Sequence, residues 1–129
     1  MFKLFKKNNA TIPVIKEVPA AAATYKVGQV LYTNASGLVA GAAGSTAPEY
    51  VCATDATVTS GTKIAVNPIY EDIEFKTVFS ADGTALVAGQ KVTVSATFDS
   101  VTATTTNGVA TIVEKIGSGA SGTEVIVKF

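Results

Sequence analysis

Valine and isoleucine together number 25 in this chain of 129 residues, against four leucines, and threonine adds 18 more. That imbalance constrains the fold more than any single motif. β-Branched side chains are stiff at χ1 and suit a pleated, half-buried surface. Leucine, the usual core residue of helices, is too scarce to line a bundle. Eleven glycines spread along the chain supply turns. The expectation is an all-β protein, an antiparallel β-sandwich or small barrel. With 47% hydrophobic and 16% charged residues, it has enough apolar surface to offset chain entropy within one domain.

What is missing narrows the function. The chain has no histidine, arginine or tryptophan. Histidine is the commonest general base and metal ligand, and arginine is the bidentate reader of phosphate. Ten lysines balance ten acids, so no net field favours nucleic acid. The expectations are no catalytic residues, no cofactor, no metal and no nucleic-acid partner. Cys52 stands alone and gives neither a disulfide nor a metal-ligand spacing, so a buried, inert thiol is expected. No run of apolar residues is long enough for a membrane span. Met1 to Lys7 starts like a secretion signal, yet Asn8 and Asn9 follow with no hydrophobic region. An unprocessed chain made in a cytoplasm is expected.

Residues 1–23 differ from the rest. Lys3, Lys6, Lys7 and Lys16 against Glu17 give this stretch a net charge of +3, and residues 24–129 carry −3. Pro13 and Pro19 punctuate it, which suits an edge or a non-strand segment. The reading is an extended basic arm, 1–23, attached to a β-rich body, 24–129. Phe2, Leu4 and Phe5 would supply apolar contact to a partner while the lysines meet an acidic surface. Ile12, Val14 and Val18 would add a short extended piece. An arm of this kind should be removable without unfolding the body.

In the body, strands are expected over 29–33, 49–53, 63–67, 69–79, 91–96, 110–116 and 123–129. Lys63-Ile64-Ala65-Val66 and Glu124-Val125-Ile126-Val127 alternate with period two. A shift of 61 residues lays Gly28-Gln29 on Gly89-Gln90, Ser60-Gly61-Thr62 on Ser121-Gly122-Thr123, and Val66 on Val127. Identity is eight of 46 pairs, but two separate turn motifs keep one register. The expectation is two pseudo-repeated halves, 24–68 and 85–129, joined by a long strand near 69–79.

Other clusters read as ordinary surface. Glu71, Asp72 and Glu74 form an acidic group on a wet face. The glycine-rich 37–44 segment lacks the Gly-Lys-Ser/Thr ending of a phosphate loop. Tyr25, Tyr32, Tyr50 and Tyr70 could stack on sugars if their rings were exposed together.

Taken whole, residues 24–129 resemble the small capsid decoration (cement) proteins of tailed bacteriophages. The resemblance is carried by Val27-Gly28-Gln29-Val30-Leu31-Tyr32, by Gly37-Leu38-Val39-Ala40, and by residues 57–66 leading into 69–75. It returns in Leu86-Val87-Ala88-Gly89-Gln90-Lys91-Val92 and in residues 122–129. It implies a non-enzymatic virion protein on the capsid exterior that bridges capsomers. The implied partners are the major capsid protein and further copies of itself in a homotrimer, with no membrane involved. It also implies a clamping arm; the basic arm here matches no family motif, and its capsid contacts, Phe2, Lys3, Leu4, Phe5, Lys6, Lys7, Ile12 and Val14, are inferred from their own apolar and basic character. The alternative is a head-fibre or adhesin-type β module that binds host-surface glycans.

Overall fold

A computed structural model describes residues 1–7 and 14–129. The described residues form twelve strands and no helix. They are β1 (Lys3–Lys7), β2 (Lys16–Pro19), β3 (Ala23–Tyr25), β4 (Val30–Thr33), β5 (Val39–Gly41), β6 (Tyr50–Cys52), β7 (Ala56–Val58), β8 (Lys63–Pro68), β9 (Ile73–Val78), β10 (Lys91–Val92), β11 (Ala110–Lys115) and β12 (Glu124–Lys128). One sheet has the order β1-β9-β12-β11-β10, a second β2-β8-β6-β4-β5, and β3 pairs with β7. Every ladder is antiparallel, and the sheets pack in a sandwich-like arrangement.

The two larger sheets are copies of one plan. Lys16, Glu17, Val18 and Pro19 of β2 face Val66, Ala65, Ile64 and Lys63 of β8. In the other sheet Phe75, Lys76, Thr77 and Val78 of β9 face Val127, Ile126, Val125 and Glu124 of β12. Each β12 residue there lies 61 positions after its β8 counterpart. The closing contacts repeat as well. Ala20 makes a parallel bridge to Val39, and Phe79 makes one to Val101. The Gly61 amide donates to the Ala20 carbonyl at 2.8 Å, and the Gly122 amide to the Phe79 carbonyl at 2.7 Å. The first bridge joins the edge strands β2 and β5 of its sheet at their ends, and the second joins the end of β9 to Val101, which also bridges Val94 just after β10, so each sheet curls toward a partly closed barrel.

Each half therefore begins one strand earlier than the glycine motifs suggest. The first half starts at β2 and the second at β9. The expected long strand over 69–79 is a connection followed by a strand. The Ile69 amide is held by the Glu49 carbonyl, and the Ile73 amide closes a turn on the Tyr70 carbonyl at 3.1 Å. From there Ile73, Phe75 and Thr77 point into the core, and Glu74 and Lys76 point outward. The strand expected over 91–96 pairs with β11 only at Lys91 and Val92; beyond it Thr93 bonds to Thr102 and Thr104 and Val94 to Gly44, and the chain turns at Phe98, whose φ of 64° is the left-handed value Gly37 adopts (75°) in the first half. A bulky residue there is strained.

The hydrophobic core repeats position by position. The first half buries Ala20, Tyr25, Leu31, Val39, Cys52, Ile64 and Val66 together. Their counterparts Phe79, Leu86, Val92, Val101, Ile112, Val125 and Val127 are all buried in the second. Val30, Ala42 and Val51, on the reverse face of the first half's sheet, join this second cluster and fasten the halves to each other. Backbone bonds finish the joint. Gly44 and Val94 exchange bonds of 2.9 and 3.1 Å, and the Val30 amide donates to the Phe98 carbonyl at 2.8 Å. Gly41 is required here, because a Cβ would stand 2.4 Å from the Phe98 ring.

Candidate functional site

The basic leading residues fold onto the chain's own body. β1 pairs with β9, with Lys3 opposite Lys76, Leu4 opposite Phe75, Lys6 opposite Glu74 and Lys7 opposite Ile73. The register slips between Leu4 and Lys6, which sets Phe5 in a bulge. The Phe2 amide donates to the Gly28 carbonyl at 2.8 Å, and the Met1 amine donates to the Asp99 carbonyl. Gly28 has φ +84°, and a Cβ there would collide with the Met1 side chain.

These contacts lay residues 1–7 of the expected arm, 1–23, along the body itself. Phe2 is 2% exposed and its ring lies 5.4 Å from that of Phe129, which in turn packs against Phe75. Its apolar surface is spent inside this molecule, which is worth about 1.5–3 kcal/mol to the fold. Residues 16–19 belong to a sheet, so the leading segment is structural as far as it is described, and removing it would take an edge strand from each of the two larger sheets. The reason is the charge pattern. Lysines on a short strand mark a protected sheet edge as readily as an arm.

The other proposed contact residues are available. Leu4 is 50% exposed and Phe5 48%, and the exposed Lys3 and Lys6 flank them in sequence. The Lys76 ammonium sits 5.3 Å from the centre of the Phe5 ring and 3.8 Å from a Glu124 carboxylate oxygen. Val14 is 77% exposed and lies just ahead of β2. Lys7 is the last residue of β1, and Ile12 lies outside the described residues.

Beneath β1 runs an apolar cleft of about 360 Å3. Leu4, Ile15, Val27, Val51, Ile73 and Phe75 form its apolar lining, with Lys3 also present. Ile15, 60% exposed, was not among the residues singled out from sequence, and Val27 was quoted only within the family-like motif and not as a contact residue. Ile15 carried a signal, as an apolar residue between the exposed Val14 and Lys16.

The remaining candidates are dispersed. Tyr25 is buried, its hydroxyl donating to the Ala21 and Val39 carbonyls at 2.8 and 3.0 Å. Tyr32 packs on the second core and Tyr50 on the first, so these rings do not make one stacking platform. The Cys52 thiol is buried and donates to the Thr54 carbonyl at 3.0 Å, and burial pushes its pKa up. Among the described residues no three His, Cys, Asp or Glu side chains gather where they could hold a metal. No protein-family model matches the chain, and a search of curated proteins finds no match.

Proposed function

We propose that this protein is a structural component of a tailed-phage virion that attaches to the outer capsid surface and stabilises the head by bridging capsomers. The observation that carries the reading is the β1 edge, where half-exposed Leu4 and Phe5 stand among Lys3 and Lys6 beside an apolar cleft. An adhesive surface needs this pairing: apolar side chains for burial and charges for orientation and encounter rate. The chain resemblance over residues 24–129 supplies the capsid as partner. A ligand that binds only the assembled lattice stabilises it by mass action, and identical neighbouring sites raise avidity if the protein self-associates.

The test is co-sedimentation of the purified protein with tailed-phage heads, against the double variant Leu4→Asp with Phe5→Asp. Both positions are about half exposed, so the fold should persist. Saturable binding by the native chain, lost in the variant, is expected. Equal sedimentation of both, or none of either, sinks the proposal.

A further inference from the structure

Asp82-Gly83 and Asn107-Gly108 each set a side-chain carbonyl carbon beside the unhindered amide of a glycine, and the fold treats the two pairs in opposite ways. Gly83 is buried, and its amide donates to the Gly119 carbonyl at 2.8 Å. An Asp82 carboxylate oxygen accepts from the Thr84 amide at 3.0 Å, and that bond holds the Asp82 pKa below its ordinary value. Both groups of this pair are tied down. Asn107 is exposed at the third position of the turn 105–108. The Gly108 amide reaches the Thr105 carbonyl at 3.3 Å, longer than an ordinary N–H···O bond. Among the described residues no hydrogen bond fixes the Asn107 side-chain amide. The turn also restricts which residues can stand here. Asn107 has φ 53°, a left-handed value open to glycine and asparagine. A Cβ on Gly108 would stand 2.4 Å from the Lys91 carbonyl carbon, so only glycine fits.

We propose that Asn107 is a site of spontaneous, age-dependent modification, converting to aspartate and isoaspartate through a cyclic imide with Gly108. The Gly108 nitrogen attacks the Asn107 side-chain carbonyl carbon. The new carbon–nitrogen bond closes the imide, and the bond from that carbon to the side-chain nitrogen breaks. The side-chain nitrogen leaves as ammonia, carrying the proton that Gly108 gives up. One water then opens the ring. Opening at the side-chain carbonyl leaves aspartate, and opening at the main-chain carbonyl leaves isoaspartate, with the chain running through the former side chain. Nothing is oxidised or reduced. Either product puts a negative charge into residues 100–113, a stretch without any charged residue. The isoaspartyl form also adds a main-chain carbon beside the Gly108–Lys91 contact. There the β10–β11 ladder consists only of Lys91 with Thr111 and Val92 with Ala110, extended by the Val109 amide on the Val92 carbonyl at 3.0 Å. The modification is thus a one-way clock acting on the β10 edge, and it does not depend on the capsid reading.

The test ages the full chain in neutral buffer, native and in denaturing urea, and follows residue 107 by peptide mapping and isoaspartyl methyltransferase labelling. The native chain should accumulate both acidic products at 107, slower than the denatured chain by no more than about tenfold, the cost of releasing one hydrogen bond. The rate should climb with pH, because the attacking nitrogen must shed its proton. Isoaspartate at Asp82 should lag behind in the native chain and catch up in urea. Asn107→Gly, which takes the same φ, should keep the fold and end the acid gain at this position. In the isoaspartyl fraction, amide exchange at Val109 and Ile112, which bond to Val92 and Gln90, should quicken. A native chain that keeps its amide at 107 while the denatured chain loses it overturns the inference. So does a lack of conversion in both, or native isoaspartate appearing at 82 as fast as at 107.

Discussion

The two halves share a backbone and solve the same packing problem with different side chains. In the first half Tyr25 is the large buried ring and Ala20 the small neighbour at the closing bridge. In the second the sizes are exchanged: Phe79 fills the bridge position and Leu86 the other. Gly83 leaves the room Phe79 needs, since a Cβ there would lie 2.8 Å from the ring. The reverse faces differ more. Val30 and Val51 are buried against the second half, whereas their counterparts Lys91 and Thr111 are not. A duplicated sheet can thus keep its register while one copy becomes the seat for the other. What a strand pairing demands is a backbone path and total volume, not residue identity.

The sharpest way to break the comparison is Phe79→Ala. Emptying a fully buried ring should cost about 3–5 kcal/mol in denaturant unfolding. Adding Leu86→Tyr, which restores the first half's arrangement, should recover at least about 1 kcal/mol of that loss. A double variant no better than the single would mean the two pairs are not equivalent. Next comes Gly108→Ala. Its Cβ would stand 2.4 Å from the Lys91 carbonyl carbon, in backbone that cannot swing aside. A loss of about 1–3 kcal/mol is expected, with faster amide exchange in β10 and β11.

Smaller effects separate the chemistry of the two cores. Tyr25→Phe removes bonds to two carbonyls and should cost about 1 kcal/mol, with no equivalent in the second half. Burial raises the Tyr25 phenol above its ordinary 10.0 and the Cys52 thiol above 9.0. Both groups fold in their protonated forms. Their contribution is complete below the ordinary values and is lost as pH climbs through the raised ones. The first half should therefore loosen in base before the second, whose counterparts Leu86 and Ile112 do not titrate. Exchange at β4, β6 and β8 above pH 10 reads this, and Tyr25→Leu with Cys52→Ile should flatten the response.

The identical residues of the repeat mark where the backbone needs one residue type. Gly28 and Gly89 have φ of 84° and 91°, and Gly61 and Gly122 of 88° and 84°. Gln29 accepts from the Lys26 amide through its side-chain oxygen at 2.9 Å, and Gln90 accepts from Val87 at 2.9 Å. Those demands kept Gly-Gln and Ser-Gly-Thr legible at a constant spacing. Alternation made β8 and β12 readable for a similar reason, since one face of each is in the core. β9 alternates as well, with Ile73, Phe75 and Thr77 inward against Glu74 and Lys76, but its kinship with β2 was hidden. Lys16 stands for Phe75 and Val18 for Thr77, and their offset is two residues shorter than that of the turns, so a gapless shift passes over them. β3, β5 and β7 are three residues each and rich in alanine, threonine and glycine, so their ladders depend on neighbours distant in sequence. The candidate site was legible only in part. Leu4 and Phe5 stood out beside the lysines, but the cleft wall comes from Val27, Val51 and Ile73, which meet β1 only after folding.

The Gly44–Val94 exchange of hydrogen bonds has a mechanical meaning. With the sheets stitched through their main chains as well as greased together, a tug on either lobe loads the other. Pulled between its ends, the molecule should give way in one rupture event.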